Sequence, residues 1–256
     1  MNSRWPAQLI SATEKWLLPA TALIYLFAGF FPWVAARPPS SPDDSWQMVL
    51  HVAHQQHLQF GRDIIFTFGP YGFLYQGYDP TTYATSVIAW SFVSFAFWWS
   101  GWRLAQHFAD NPWGAWCWLI AFAGIASIRV EQIFDVRMTG LALLLLWLHF
   151  FVENSPVSRR QIMLAIAAGM LALVKFTSFM EFSAVILLIT IADVMQRRRV
   201  PGLAIAFAAS LLFFWLAARQ SLAGIFSFLK YSWILAGGLS NSIGGQAHAP
   251  SSLSFR

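Results

Sequence analysis

The sequence predicts an all-α protein whose helices form a polytopic bundle in a membrane. Hydrophobic residues occupy 57% of the 256 positions and charged residues only 11%, whereas a soluble domain carries about 25% charged residues. The mean hydropathy is +0.54, and apolar runs recur along the whole chain. The 14 tryptophans are typical of segments that meet a membrane interface. This composition excludes an ordinary soluble domain. We therefore expect the lipid bilayer to be a partner of this protein and to cover much of its surface in place of water.

Seven apolar runs predict transmembrane helices, because about 20 helical residues cross a hydrocarbon core about 30 Å thick. The first run follows Arg4 and Lys15 and is longer than the signal-peptide core of about 7–15 residues, so we interpret it as a retained anchor. Cleavage after Val34-Ala35-Ala36 stays open as the alternative. The fourth and fifth runs have the shortest strictly apolar lengths. The predicted spans are residues 16–36, 82–102, 112–128, 134–152, 161–174, 179–195 and 200–218.

The positive charges predict an N-terminus in the cytoplasm. With this orientation, half of the 16 Lys and Arg residues fall in about forty residues of inner loop and tail, and the other half are spread over about one hundred outer residues. Charges beside apolar runs indicate topology rather than a nucleic-acid-binding face. The single cysteine, Cys117, leaves no partner for an intrachain disulfide. We therefore expect a multi-pass protein of the bacterial inner membrane.

The chain divides at the end of the last predicted span. Residues 1–218 are expected to form the transmembrane domain, which includes an outer loop at residues 37–81. Residues 219–256 contain an apolar stretch interrupted by Lys230 and then a Gly/Ser-rich tail. The stretch is compatible with an outer interfacial helix or with the start of another span. Because nothing in the tail resembles a closing domain, we expect this chain to be the truncated version of a longer protein.

The outer loop is the first candidate functional segment, since long ordered loops in compact proteins usually carry function. Asp43 and Asp44 precede a helix-compatible run at residues 46–60. The run predicts an amphipathic helix on the outer membrane surface that ends at Gly61. A Gly-Pro-Tyr-Gly turn follows at residues 69–72. The apolar residues expected on one side of the helix are Met48, Val49, Val52 and Leu58.

Three histidines in this helix recur every three residues, at His51, His54 and His57. The spacing suggests a metal site, but successive positions rotate by about 300° around a helix, so three side chains cannot converge from one straight segment. We therefore prefer a surface helix and expect no metal site here.

Charged residues also occur beside later spans. Arg129, Asp135 and Arg137 lie around the start of the fourth span, and Lys175 lies between two apolar runs after the fifth. A lone charge between apolar runs is expensive, which makes it a candidate functional residue by default. With the predicted topology these groups fall near the outer face, as does Asp63 of the outer loop.

The order of these motifs resembles that of the GT-C superfamily, polytopic glycosyltransferases that use polyprenyl-phosphate-linked sugars. The resemblance is to the N-terminal part of the protein mannosyltransferases and of the aminoarabinose and Rgt-type transferases, over residues 10–220. FGRDIIFTFGPYG stands where these enzymes have a proline-containing segment, and LALVKFT is similar to their short lysine motif. Their usual acid pair is Asp-Glu or Glu-Asp, so Asp43-Asp44 departs from it.

The resemblance implies sugar transfer from a polyprenyl-phosphate donor to an acceptor on the outer face. Asp43 or Asp44 would be catalytic, taking the proton of the acceptor hydroxyl, and Asp43 is favoured by its position in the motif. Lys175 with an arginine would hold the donor phosphate. No cofactor is implied, and a divalent cation stays an open alternative. The residues expected to bind substrate or phosphate are Lys175, Arg137, Arg129, Asp63 and Asp135.

Each candidate also has a structural interpretation. Asp44 with Gln47 matches the start of a capping box, Lys175 is compatible with a snorkelling side chain at a helix end, and Asp135 and Arg137 are compatible with a plain helix end. Two other functions stay open: a non-enzymatic transporter or assembly subunit for envelope polysaccharide, and an inactive fragment. Most charges lie near span ends, which favours a site at the membrane surface over a permeation path.

Overall fold

The computed structural model describes residues 17–33, 45–75, 77, 79–108, 124, 133–152, 157–196 and 200–245. Within these residues the chain is helical and has no β-strand, only isolated bridges, which confirms the all-α class. Asp43, Asp44 and Arg129 lie outside the described residues, and so does the third predicted span apart from Gly124.

Eight α-helices are described in full. They are α1 (Leu18–Phe30), α2 (Ser45–Gln55), α3 (Tyr83–Phe108), α4 (Ile133–Trp147), α5 (Arg159–Leu171), α6 (Phe176–Ile191), α7 (Gly202–Ala217) and α8 (Leu222–Gly245). A π-helical segment, Leu148–Val152, continues α4, and another, Ala192–Gln196, continues α6. A short 3-10 helix lies at Gly72–Tyr75.

Two helical segments of the described chain are long and apolar enough to cross a membrane, Asp135–Val152 and Phe176–Met195. A third candidate combines α7 with Leu222–Gly238 of α8, although these two are bent by 104° at the break between them. The fifth predicted span is short, because the 13 residues of α5 extend only about 20 Å. The count of seven spans therefore remains a prediction, whereas apolar helices able to cross a membrane are present.

The short helix α5 lies at the centre of the bundle, in contact with α3, α4, α6 and α7. It begins with a capping box in which Ser158 and Gln161 satisfy each other's backbone N–H groups. A Cβ atom on Gly169 would lie 2.6 Å from Oγ of Ser210 in α7, and that hydroxyl donates to the carbonyl of Ile166 at 2.8 Å. Small residues at such a crossing let helix backbones approach closely, as is typical of membrane bundles.

Residues 37–81, for which we keep the predicted name outer loop, contain a helix that is shorter than predicted. It ends at Gln55 rather than at Gly61, because the chain turns at His57, which has φ 53°. Gly61, with φ 85°, makes a second turn that suits glycine. His51, which the pattern grouped with polar surface residues, is buried, and its Nδ1 lies 2.8 Å from Oγ1 of Thr82.

The outer loop and α8 pack together over one end of the bundle. Gln220 joins them: its Oε1 accepts from the backbone N–H of Phe60 at 2.9 Å, and its Nε2 donates to the carbonyl of Leu58 at 3.0 Å. A Cβ on Gly61 would lie 2.4 Å from the backbone N of Phe228, so only glycine permits this approach. The stretch after the last predicted span therefore belongs to the same structure as the outer loop.

Candidate functional site

Part of the outer loop runs beside the connection between α5 and α6. Three backbone hydrogen bonds join the two segments, from Gly69 N to Val174 O (3.1 Å), from Tyr71 N to Leu173 O (3.2 Å) and from Phe176 N to Thr67 O (2.8 Å). A Cβ on Gly69 would lie only 2.4 Å from the carbonyl oxygen of Leu173, so the close approach depends on glycine. This contact fixes Lys175 beside a loop that is about one hundred residues away in sequence.

Lys175 forms an ion pair with Asp135, and both were predicted site residues. Nζ of Lys175 donates to the two carboxylate oxygens at 3.0 and 2.9 Å. Lys175 is the extended residue directly before α6, and Asp135 lies in the first turn of α4. The lysine side chain is 19% exposed and the aspartate side chain 46%. The pair is thus shielded on the lysine side and open on the carboxylate side.

Aromatic rings surround the lysine. Its Nζ lies 5.1 Å from the ring centroid of Tyr75 and 5.9 Å from that of Phe68, within the range of a cation–π interaction. Phe68 stacks on Trp46 and Phe66, with centroids 4.8 and 5.3 Å away. We call Trp46, Phe66, Phe68 and Tyr75 the aromatic platform. In the sequence Phe66 and Phe68 alternate with other residues, but nothing links them to Trp46 and Tyr75, so the platform was not predicted.

Arg137 faces other helices. Its Nη2 donates to the carbonyl of Gly29 at 3.0 Å, and its guanidinium carbon lies 4.8 Å from the ring centroid of Phe30. Two residues along a helix correspond to a rotation of about 200°, so Arg137 and Asp135 point to different sides of α4. Arg137 ties α4 to the end of α1, and the structure does not bring it to Lys175.

Asp63 stabilises a local turn. It accepts from Nε of Arg62 at 2.9 Å and from the backbone N–H of Gln59 at 2.9 Å. The hydrogen bond from Arg62, followed by the backbone hydrogen bond of Gln59, lowers the pKa of Asp63 below its usual value. These contacts hold Asp63 in the turn around Gly61 rather than at the Lys175–Asp135 pair.

Of the two histidines of α2, His51 is buried and His54 is half-buried, and both rings lie beside Phe73. Burial, as the largest cause, lowers the pKa of His51 and of His54 below 6.5. The ring of His54 packs on Phe73, with centroids 4.3 Å apart. Among the residues that the structure describes, no three His, Cys, Asp or Glu side chains are grouped so that they could hold a metal ion. The contacts of His51 with Thr82 and of His54 with Phe73 dock α2 on the rest of the structure.

We expect this docking to weaken when the pH falls below about 6.5. An undocked imidazole has a pKa near 6.5, whereas the docked His51 and His54 have lower pKa values. As the pH falls, the undocked state therefore binds protons first, and this proton binding favours the undocked state over the docked one. Hydrogen exchange of residues 45–55, corrected for intrinsic rates, should rise about twofold or more between pH 7.5 and 5.5. His57→Asn should keep the rise, and His51→Gln/His54→Gln should abolish it. A rise that persists in the double variant would contradict the assignment.

A second pair of ionisable groups joins the same two helical segments as Lys175–Asp135, near their opposite ends. Nε2 of His149 lies 3.2 Å from Oδ1 of Asp193, and both side chains are 1% exposed. Each residue lies in one of the two π-helical segments. The angles fall outside hydrogen-bond geometry, and within the described residues the Asp193 carboxylate accepts no hydrogen bond. Within the described residues, His149 is thus the ionisable partner of the buried Asp193 side chain.

Gln161 fixes which nitrogen of His149 carries the proton. The side-chain oxygen of Gln161 accepts from the backbone N–H of Ser158 at 2.9 Å in the capping box. Its Nε2 is therefore the atom that faces Nδ1 of His149, at 3.4 Å. Because Nδ1 accepts, the neutral ring carries its proton on Nε2, towards Asp193. Nothing in the sequence links His149, in the fourth predicted span, to Asp193, near the end of the sixth.

Comparison with known proteins found no family model, no curated protein and no solved structure that matches this chain. The chemistry of the site must therefore be inferred from its own side chains. One part of the site is the Lys175 cation, which pairs with the half-exposed Asp135 carboxylate. The other part is the aromatic platform, whose first residue, Trp46, follows the acid pair Asp43-Asp44 by two residues in the sequence.

Proposed function

We propose that this chain belongs to a membrane glycosyltransferase of the GT-C type, with about seven spans in a bacterial inner membrane. It would transfer a sugar from a polyprenyl-phosphate donor to an acceptor on the outer face. The observation that carries the proposal is the position of Lys175, which pairs with Asp135 and contacts the aromatic platform at the hydrogen-bonded outer loop.

Lys175 is the proposed phosphate-binding residue. Its ammonium has three N–H groups, and in the described part of the chain Asp135 accepts from it at two oxygens. Because Asp135 is half-exposed, its carboxylate can turn towards water, and a donor phosphate would take its place on the lysine. In the free protein Asp135 would hold the ammonium in place, so that little ordering is needed when the donor binds. A cation there steadies the phosphate as it leaves.

The proposed base is Asp43 or Asp44, with Asp43 preferred. Asp44 precedes Trp46 of the aromatic platform by two residues, and two residues span at most about 7 Å. The covalent chain therefore supports a carboxylate within reach of an acceptor that rests on the platform. A carboxylate in that position takes the hydroxyl proton while the oxygen attacks the sugar.

Transfer by the purified protein in liposomes tests this function, with radiolabelled polyprenyl-phosphate hexoses and pentoses as donors. We expect Lys175→Met to lower the transfer rate about tenfold or more, as loss of a charge-assisted contact implies, and Lys175→Arg to restore part of it. Asp43→Asn should abolish transfer. Arg62→Met is the matched control, because Arg62 is an exposed cation of the same loop that pairs with Asp63, and it should retain full activity. Undiminished transfer by both Lys175→Met and Asp43→Asn would refute the proposal.

The buried His149–Asp193 pair favours a second candidate, a transporter or assembly subunit for envelope polysaccharide. Ionisable residues inside apolar helices often mark proton or substrate paths, and both residues lie within candidate spans. In the same liposomes, this candidate predicts movement of the lipid-linked sugar between leaflets without transfer to an acceptor. His149→Gln should then slow that movement, whereas a transferase should move label only to the acceptor.

A further inference from the structure

The direction of α8 follows from that of α7. α7 is a 16-residue apolar helix, and α8 leaves it at an angle of 104°. If α7 runs along the membrane normal, α8 runs close to the membrane plane. The alternative is that both helices belong to one broken span, and the two faces of α8 discriminate between these arrangements.

One face of α8 packs on the protein. Gly224, Phe228 and Ser232 are buried and recur every four residues. The hydroxyl of Ser232 donates to the carbonyl of Phe66 at 3.0 Å, and Phe228 lies against Gly61. This face therefore contacts the outer loop, at the end of the bundle that carries the Lys175–Asp135 pair.

Over residues 222–238, the opposite face of α8 is exposed and apolar apart from one lysine. Phe226 is 79% exposed and Trp233 62%, and Leu222 and Ile234 are also more than half exposed. Lys230 is exposed and lies four residues after Phe226 and three before Trp233, on the same side of the helix. Were α8 to span the membrane, Lys230 would lie about 12 Å from its first residue, where a charge is costly. At an interface the ammonium reaches lipid phosphates instead.

We infer that α8 is an interfacial helix at this end of the bundle. Phe226, Trp233 and Ile234 lie at the boundary between acyl chains and headgroups, and Lys230 contacts lipid phosphate. The lipid-facing side continues to the candidate site, because the ring of Trp233 packs edge-on against Phe176, the neighbour of Lys175, with centroids 6.3 Å apart. The interfacial position of α8 does not depend on sugar transfer, so a negative result for one proposal leaves the other intact.

Depth measurements test it. Leu222, Phe226 and Trp233 are replaced one at a time by cysteine in a Cys117→Ser background and labelled with a fluorophore in liposomes. Spin-labelled lipids then report the depth of each label. Positions 222 and 233 lie about 16 Å apart along a helix axis. An interfacial helix places the three labels at one shallow depth, within about 3 Å of each other. Ser232→Cys, on the buried face, should resist labelling.

Two results would overturn the inference. A steady increase in depth of about 16 Å from position 222 to position 233 would show that α8 crosses the membrane. Quenching by aqueous iodide without quenching by lipid spin labels would show that α8 faces water.

The role of Lys230 has its own measurement. Lys230→Glu should raise iodide quenching of the label at position 226 about twofold in liposomes that contain phosphatidylglycerol, because a glutamate is repelled by anionic headgroups. In liposomes of phosphatidylcholine alone the change should be much smaller. Equal quenching of the lysine and glutamate proteins in both liposomes would overturn the assignment of Lys230 to lipid phosphate.

Discussion

Replacing His149 by leucine is expected to lower the free energy of unfolding by about 3–5 kcal/mol. The variant removes the partner of Asp193, whose side chain is 1% exposed and accepts no hydrogen bond within the described residues. A buried carboxylate without a partner either stays charged at high cost or takes up a proton, and both reduce stability. Unfolding in mixed micelles, followed by loss of helix, measures the difference.

A second substitution distinguishes charge from packing. Asp193→Leu in the His149→Leu background should recover most of the loss, since replacing both members of a buried pair by apolar residues is often neutral or stabilising. The stability loss of the double variant is compared with the summed losses of His149→Leu and Asp193→Leu. If the two are equal, the two side chains do not interact through charge. The loss would then come from the shape of the cavity.

The elements were predictable where the composition itself determines them. Apolar runs predicted helices at 82–102, 134–152, 179–195 and 200–218, and α3, α4, α6 and α7 occupy these stretches. Lipid and protein contacts are both apolar in a membrane, so the pattern did not reveal which helix lies at the centre. α5, with 13 residues, was predicted as a span, yet it is the short helix that others surround.

Rotation about a helix axis limited the prediction of the site. Asp135 and Arg137 lie two residues apart, and both stood near Lys175 in the predicted topology. Only the packing of α4 decides that Asp135 faces Lys175 and that Arg137 faces Gly29. His51 shows the same limit, because its burial depends on Thr82, which is 31 residues away in sequence.

The aromatic platform and the His149–Asp193 pair could not be predicted for a related reason. Each joins residues from separate segments, Trp46 with Phe68 and His149 with Asp193. The histidine and the aspartate also lie in π-helical segments, which shift side chains relative to a regular α-helix. Such local changes of helix geometry follow from tertiary packing rather than from the residues of the segment.

Gly69→Ala is expected to disable the candidate site without touching any charged residue. Its Cβ would lie 2.4 Å from the carbonyl oxygen of Leu173, and a backbone oxygen cannot rotate away as a side chain can. The two segments must separate, which breaks the hydrogen bonds of Gly69 and Tyr71 and moves Phe68 away from Lys175. A displacement of about 1 Å at a reacting site costs about a hundredfold in rate, so we expect transfer in liposomes to fall by about that factor.

Gly140→Ala provides the matched control for this substitution. Gly140 lies within α4, and a Cβ there would meet the ring of Phe97 at 3.5 Å, an ordinary contact. Alanine also favours a helix interior over glycine by about 1 kcal/mol, so this variant should transfer normally and unfold no more easily. Hydrogen exchange of residues 66–71 separates the structural effect from the proposed chemistry: it should rise in Gly69→Ala alone. Unchanged hydrogen exchange of residues 66–71 in Gly69→Ala would show that the loop tolerates the added methyl group. In that case the close approach of Gly69 to Leu173 is not what holds Lys175 against the platform.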